Sequence, residues 1–320
     1  MFTLRFDMRA PLEGAPIEDL YSAAIDMVAW ADGRGAVVAV LSEHHGTADR
    51  HLPSPLMLAA AMAARTKDLA IMLAALVLPF YEPVRLAEDI AVLDIISRGR
   101  VSYVLGLGHR LQEYEHFGIP MADRGERADA QLAKLLGLLR ADGATIGQTV
   151  ISPGPTGDGP SFFIGGGSLA AARRAGRFGL GMIAQAPTDG LADAYAAACR
   201  EASHEPGFLQ IPAQDLVTVM FVADNVDEAW DEIGSYLLHD AMTAASYRPG
   251  ETSIASISTA TTVAELRESV AYRVVTVDEA TQLVRTGTLL PLVPLCGGLP
   301  PDLAWPYLER ATEAVSGASA

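Results

Sequence analysis

The stretch that decides the fold is residues 69–108, LAIMLAALVLPFYEPVRLAEDIAVLDIISRGRVSYVLGLG. It opens and closes with apolar runs that have the length of a buried strand. Between them lies a segment with helical periodicity, which has Pro83 in its first turn and Gly99 at its end. Strands that are apolar throughout, without alternation, are typical of a parallel sheet covered on both faces. The stretch therefore predicts a strand–helix–strand unit of an α/β protein.

The same unit recurs along the rest of the 320-residue chain. About eight strand–helix units at this length favour a (β/α)8 TIM barrel over an open doubly wound sheet. Nothing resembling a linker divides the chain, so we expect a single domain over residues 1–320, with an insertion loop at about residues 246–262, after the seventh strand. The other strands are predicted at Phe2–Phe6, Ala36–Leu41 and residues 161–164, 179–185, 215–223 and 288–295, and further helices at Pro55–Arg65 and residues 124–140.

Composition narrows the class of protein. The net charge is −16, with 39 acidic against 23 basic residues, and the basic residues are scattered. Nucleic-acid binding needs a clustered basic surface, so we expect no nucleic-acid partner. No run reaches the roughly 18–20 apolar residues of a membrane span, and the N-terminus lacks the apolar segment of a signal peptide. The two cysteines, Cys199 and Cys296, fit a reducing compartment. We therefore expect a cytoplasmic protein without a membrane partner.

The end of the second strand carries a cluster of polar residues. Catalytic residues of barrel enzymes lie at the C-terminal ends of the strands, and Glu43, His44 and His45 stand there. Adjacent residues of an extended chain point in opposite directions, so the two histidines are poorly arranged to share a metal ion and we expect none. An imidazole suits proton transfer, but it also serves as a hydrogen-bonded group at a barrel rim. The residues alone leave both roles open.

A glycine loop follows the fifth strand. Backbone N–H groups exposed at a helix N-terminus bind phosphate, and the helix dipole adds to this attraction. A serine at the N-cap position donates a further hydrogen bond, while a plain tight turn is the alternative interpretation. By contrast, the run GLGHRL is not a dinucleotide fingerprint, because Leu111 occupies the place of its third glycine. The loop consists of Gly165, Gly166, Gly167 and Ser168.

The runs VLSEHHG, LAALVLPFYEPVRLAEDIAVLDIISRGRVSYVLGLG and FFIGGGSLAAARRAGRFGLG resemble the bacterial luciferase-like superfamily of flavin- and deazaflavin-dependent oxidoreductases. The resemblance extends over residues 2–181 and returns at PLCGGLPPDLAWPYLER. It implies a (β/α)8 barrel with an insertion after strand seven. It also implies a monooxygenase that uses reduced FMN and oxygen on a small organic substrate. A separate flavin reductase as partner and a homodimer follow from the same resemblance.

The resemblance assigns roles to particular residues. His44 matches the family's active-site histidine, which handles proton transfers, and the glycine loop with Ser168 matches the phosphate site. A non-prolyl cis peptide is implied at Ala74-Ala75, where a flat ring would lie against the backbone. The remaining candidates are Gly106 as a cofactor contact, and Asp7, Glu43, His45, His109 and Arg110 at the substrate or the rim.

One departure from the family pattern bears on the cofactor. FMN-dependent members often carry an arginine in a Gly-x-Gly-Arg-Gly run after strand four, and Leu107 stands at that position here. His109 or Arg110 would have to replace it. We favour FMN, with a deazaflavin coenzyme and direct hydride transfer as the alternative. A non-catalytic flavin-binding protein is the second alternative.

Overall fold

The computed structural model describes residues 1–139, 151–157, 159–213, 215–250, 254 and 257–319. It divides into two compact units. The first unit comprises Met1–Pro53, Arg65–Ala70 and Ala213–Ala320, and the second comprises Ser54–Ala64 and Ile71–Pro212.

Ten strands lie in the described residues, and they account for all eight that the sequence predicts. They are β1 (Phe2–Phe6), β2 (Ala36–Leu41), β3 (Ala70–Val77), β4 (Val101–Gly106), β5 (Ser161–Gly165), β6 (Gly181–Ile183), β7 (Leu209–Gln210), β8 (Val219–Ala223), β9 (Tyr272–Thr276) and β10 (Leu290–Leu292). The predicted seventh and eighth strands are β8 and β10. The sequence-based prediction missed β7, which has two residues, and β9, whose apolar run is broken by Arg273.

Eleven α-helices are described in the same parts of the chain. They are α1 (Ile17–Ala31), α2 (Pro55–Arg65), α3 (Pro83–Ser97), α4 (Leu111–His116), α5 (Arg124–Leu139), α6 (Leu169–Arg177), α7 (Leu191–Glu201), α8 (Val226–Ser246), α9 (Val263–Arg267), α10 (Val277–Arg285) and α11 (Pro301–Ser319). None of them combines the length and the apolar composition that crossing a bilayer requires. The prediction for residues 124–140 is confirmed as α5, although Arg140 lies outside the described residues.

Both units are built from parallel strands. In the first unit the order is β2-β1-β10-β8-β9, and in the second it is β3-β4-β5-β6-β7. All five residues of β8 are buried, and so are Phe2, Leu4 and Phe6 of β1. Because the strands of a unit run the same way, the residues that follow them meet at one edge of that unit.

The deciding stretch folds as predicted. Helix α3 begins at Pro83, and the carboxylate of Glu82 accepts hydrogen bonds from the N–H groups of Val84 and Arg85 at 2.8 and 2.9 Å. This arrangement satisfies donors that a helix N-terminus leaves without partners. The helix ends in a left-handed turn, with φ of 57° at Arg98 and 77° at Gly99. The turn directs the chain into β4.

The expected insertion lies between two helices. Ser246 is the last residue of α8, and Thr262 caps α9 by accepting a hydrogen bond from the N–H of Glu265 at 3.2 Å. Residues 251–253 and 255–256, inside the predicted insertion, lie outside the described residues. Helix α9, strand β9 and helix α10 then precede β10, so the chain between β8 and β10 is longer than one loop.

Candidate functional site

The polar cluster predicted at the end of β2 belongs to the first unit. The Glu43 side chain is buried, and its Oε1 lies 2.8 Å from Nε2 of His45. The side chain of His45 is 12% exposed. A buried carboxylate needs such a partner, because taking its charge out of water is otherwise costly. Glu43 and His45 therefore contact each other directly.

His44 lies between two aromatic rings. Its ring centroid is 4.7 Å from that of His51, with 81° between the planes, and 5.0 Å from that of Tyr247, with 58° between them. The backbone N–H of His44 donates to the carbonyl of Leu52 at 3.1 Å. Both the backbone and the ring of His44 are thus held in place within the first unit.

A chain of hydrogen bonds runs from Asp7 to His51. Ser42 Oγ lies 2.6 Å from Oδ1 of Asp7 and 2.7 Å from Nε2 of His51. Burial alone would raise the pKa of Asp7, but the charges of Arg5 and Arg9 and the hydrogen bond from Ser42 outweigh it and keep that pKa below its usual range. Burial, followed by the charge of Arg9, holds the pKa of His51 well below its ordinary value. Asp7 is therefore ionised and His51 neutral at neutral pH.

A buried ion cluster around Arg9 lies near these hydrogen bonds. Its Nε donates to Asp240 at 2.9 Å and one terminal nitrogen donates to Asp49 at 2.7 Å and to the hydroxyl of Tyr247 at 3.2 Å. Tyr272 donates to the other oxygen of Asp240 at 2.7 Å. These bonds connect the segment after β1, the loop after β2 and helix α8. Three segments that are distant in sequence are thereby held together around His44.

The cofactor candidates lie in the second unit, within β3 and at the ends of β4 and β5. The Ala74-Ala75 peptide is cis, as the resemblance implies. A Cβ placed on Gly106 would lie 3.1 Å from the Cβ of Ala75, and one placed on Gly165 would lie 3.7 Å from it. The Gly165 atom would also come within 2.9 Å of Cγ1 of Val104. The close atoms belong to the side chains of Ala75 and Val104, so a side chain at Gly106 or Gly165 would require these neighbours to shift.

The predicted glycine loop precedes α6. Gly166 has φ of 147°, which a residue with a Cβ adopts only with strain. The carbonyl of Gly167 accepts a hydrogen bond from Thr188 Oγ1 at 2.6 Å. Ser168 is the N-cap, and its hydroxyl oxygen accepts from the N–H of Ala171 at 3.2 Å. The hydroxyl proton remains a donor, so the loop fits a phosphate group.

Two side chains after β4 already form hydrogen bonds within the second unit. Arg110 donates to Oε1 of the buried Glu113 at 3.0 Å, and only 12% of its side chain is exposed. The hydroxyl of Tyr114 donates to the carbonyl of Leu107, and burial raises the pKa of Tyr114 to about 12. His109 is half-buried in the same segment. The guanidinium of Arg110 is therefore engaged within the second unit.

Sequence reasoning missed several residues that surround His44. It considered His51 only as a metal ligand, and among the described residues no group of three or more His, Cys, Asp or Glu is placed to hold an ion. Arg9, Asp49 and Asp240 gave no signal, because Arg9 and Asp240 meet across 231 positions. No periodic pattern in a single sequence indicates that two residues so far apart form a buried ion pair.

Comparison with known proteins places the chain in a family. The sequence model of luciferase-like monooxygenases matches residues 4–284. The chain is 28% identical over 143 residues to the oxygenase component of flavin-dependent trigonelline monooxygenase from Acinetobacter baylyi, which covers 44% of this chain and 40% of the relative. Over 151 residues it is 30% identical to the alkanal monooxygenase alpha chain of Photorhabdus laumondii, covering 45% and 42%. The chain thus spans less than half the length of these curated relatives.

Solved structures with a similar fold extend over nearly the whole chain. A monooxygenase from Streptomyces bottropensis has a TM-score of 0.76 at 20% identity, with 100% of both chains covered. The oxygenating constituent of 3,6-diketocamphane monooxygenase from Pseudomonas putida, in complex with FMN, has a TM-score of 0.70 at 19% identity, with 98% of both covered. A secondary alcohol dehydrogenase dependent on coenzyme F420 has 0.63 at 17% identity, with 99% of this chain and 98% of that one covered. These matches show the fold, and the predicted (β/α)8 class is confirmed.

Proposed function

We propose that this chain, which belongs to the luciferase-like monooxygenase family, is a flavin-dependent monooxygenase acting on a small organic substrate. The observation that carries the proposal is the close approach of Ala75, Gly106 and Gly165 beside the capped N-terminus of α6. Such a surface suits a flat ring, and such a helix terminus suits a phosphate. Reduced FMN combines both groups and, when bound, supplies the electrons that activate oxygen.

The phosphate of FMN is assigned to the glycine loop. Ser168 donates its hydroxyl proton, and the backbone N–H groups at the start of α6 supply further donors and the positive end of the helix dipole. The hydrogen bond from Thr188 to the Gly167 carbonyl keeps the loop in its present conformation. The loop therefore needs little rearrangement to accept an anion.

The flavin ring is assigned to the small residues Ala74, Ala75 and Gly106. Ala74 and Ala75 lie within β3 and Gly106 ends β4, and none of the three carries a side chain larger than a methyl group, so a planar group would meet little side-chain bulk there. A larger side chain at Gly106 would meet the Cβ of Ala75. The closeness of Ala75 therefore favours glycine at position 106.

His44 is assigned to proton transfer during the reaction. An imidazole changes charge near neutral pH and suits the role of general acid or base. The rings of His51 and Tyr247 restrict its orientation, which favours a single geometry for proton transfer. Asp7, Glu43, His45 and His109 remain substrate or rim candidates.

The alternative is a deazaflavin-dependent oxidoreductase that transfers hydride without oxygen. Leu107 favours it, since the arginine typical of FMN-dependent members is missing there, and Arg110 is engaged with Glu113. In that reaction His44 would act as acid or base toward the substrate. A non-catalytic flavin-binding protein is the second alternative.

The partners are part of the proposal. A separate reductase would supply reduced FMN, as the naming of a relative as an oxygenase component suggests. A homodimer is supported by apolar side chains on α3: Val92, Ile95 and Ile96 are 44%, 41% and 41% exposed. A cytoplasmic location agrees with the two free cysteines.

The test supplies reduced FMN from an independent flavin reductase and admits isotopically labelled oxygen with an aliphatic aldehyde or a bicyclic ketone. We expect labelled oxygen in the organic product only when the chain is present. Turnover that needs F420 and proceeds without oxygen would contradict the proposal and favour the hydride-transfer alternative.

A further inference from the structure

We infer that Asp7, Ser42 and His51 are positioning residues that hold the imidazole of His51 as its Nε2–H tautomer beside His44. The consequence for catalysis rests on the proposed function of His44. The hydrogen-bonded chain itself does not, because it is built from contacts within the first unit.

Which atom donates and which accepts in these two hydrogen bonds follows from the number of protons available. An ionised carboxylate only accepts hydrogen bonds, so the 2.6 Å contact requires Ser42 to donate its single hydroxyl proton to Asp7. Arg5 lies 3.2 Å from the other oxygen of Asp7 and stabilises its charge. The oxygen of Ser42 must then accept at its 2.7 Å contact with His51. Nε2 of His51 therefore carries the proton, and Nδ1 carries a lone pair.

The lone pair of His51 is unusual in its surroundings. His51 is 4% exposed, and its Nδ1 has no hydrogen-bond partner among the residues that the structure describes. Buried polar atoms in native proteins nearly always have a partner, and one that lacks it calls for a functional explanation or a bound water. The ring of His51 stands edge to face against His44. We assign its Nδ1 as the acceptor for a hydrogen bond from a buried water in the ring's surroundings.

Charged groups around His51 favour its neutral form. The segment after β1 contributes Asp7 and Arg9, and the loop after β2 contributes His44 and Asp49. Helix α8 and the residue after it contribute Asp240, which binds Arg9, and Tyr247, which contacts His44. Burial and Arg9 outweigh the two carboxylates. His51 therefore adds no positive charge next to His44.

The test is nitrogen NMR of the full chain with labelled histidine, recorded without flavin. The His51→Gln variant identifies the His51 signals. We expect one protonated and one unprotonated ring nitrogen, with the proton on Nε2, unchanged across neutral pH. Ser42→Ala should move the two signals toward each other as the tautomers exchange, and Ser42→Thr, which keeps the hydroxyl, should restore them.

Two results would overturn the inference. One is a wild-type spectrum with the proton on Nδ1 or on both nitrogens, which needs no variant to fold. The other is a Ser42→Ala spectrum identical to that of the wild type. Failure of the chain to bind flavin would refute the proposed function and leave the tautomer unaffected, so the two failures are distinguishable. With an active enzyme, Ser42→Ala removes one hydrogen bond to His51 and should lower kcat about tenfold at unchanged KM, and Ser42→Thr should recover it.

Discussion

The imidazoles of His44 and His51 meet edge to face, with ring centroids 4.7 Å apart and planes at 81°. His51 is held by Ser42, which is in turn held by the ionised Asp7. This relationship makes the histidine at the end of β2 one member of an ordered set. The consequences of that order for activity and stability can be measured separately.

His44→Gln tests the role of the histidine itself. A glutamine keeps polarity and approximate size but neither takes up nor releases a proton in the neutral range, so turnover should fall roughly 10²–10⁴-fold. FMN affinity should remain within about twofold, since the phosphate and ring candidates lie elsewhere. Steady-state turnover and a binding titration check both. The exposed His116 provides the matched control, His116→Gln, which should behave as wild type; equal turnover of both variants would remove His44 from the reaction.

Ser168→Ala tests the phosphate site. Loss of an N-cap hydroxyl costs about 1 kcal/mol of stability, and here it also removes a donor to the phosphate. Thr276 also caps its helix α10, accepting from the N–H of Glu279 at 3.2 Å within a capping box, and lies in the first unit. Ser168→Ala and Thr276→Ala should therefore destabilise the chain similarly in denaturant, while only Ser168→Ala weakens FMN binding, by about tenfold. Equal FMN affinities for the two variants would argue against the assignment.

Asp240→Ala tests the buried ion cluster. It would leave Arg9 without one carboxylate and Tyr272 without its acceptor, both in the interior. Breaking such a buried pair from one side costs about 3–5 kcal/mol. Asp26 pairs with Arg65 at the surface, where the two side chains are 53% and 57% exposed, and Asp26→Ala should cost less than about 1 kcal/mol. Denaturant unfolding compares them, and similar losses would show that the cluster contributes little.

His51 should make the protein sensitive to mild acid. Its pKa is lowered in the folded chain, so below an unfolded value of about 6.5 the unfolded chain binds the proton first. The contribution of neutral His51 is then lost as pH falls, with a slope of up to about 1.4 kcal/mol per pH unit. The lowered pKa values of Asp7 and Asp49 change the free energy of unfolding only near and below pH 3.8, the ordinary pKa of an aspartate.

The measurement is the free energy of unfolding of the wild type and of His51→Gln between about pH 7 and pH 5. The difference between the two chains should shrink as the pH falls, because the variant carries no titrating group at this position. A difference that stays constant over this range would show that His51 is not held neutral.

Some features could be read from the sequence because they are local. Helix α2 occupies Pro55–Arg65 as predicted, and Ser168 caps α6 where its glycine loop indicated. Strand β9 escaped because Arg273 interrupts its apolar run and its partners are set by tertiary packing. The cis peptide at Ala74-Ala75 came from the family resemblance, since no local pattern encodes it.

The polar contacts around His44 could not be predicted from a single sequence. Tyr247 follows α8, about two hundred positions after the histidine that it contacts, and its hydroxyl binds Arg9 from the segment after β1. Such contacts depend on how the elements fold together. The histidine was predictable from its place after a buried strand, whereas the groups that orient it were not.

The most direct test of the central claim is an anaerobic titration of the purified chain with reduced FMN and, separately, with F420. The account predicts saturable, stoichiometric binding of reduced FMN that is weakened by Ser168→Ala, and weaker binding of F420. Selective binding of F420, or no binding of reduced FMN up to high micromolar concentration, would contradict it.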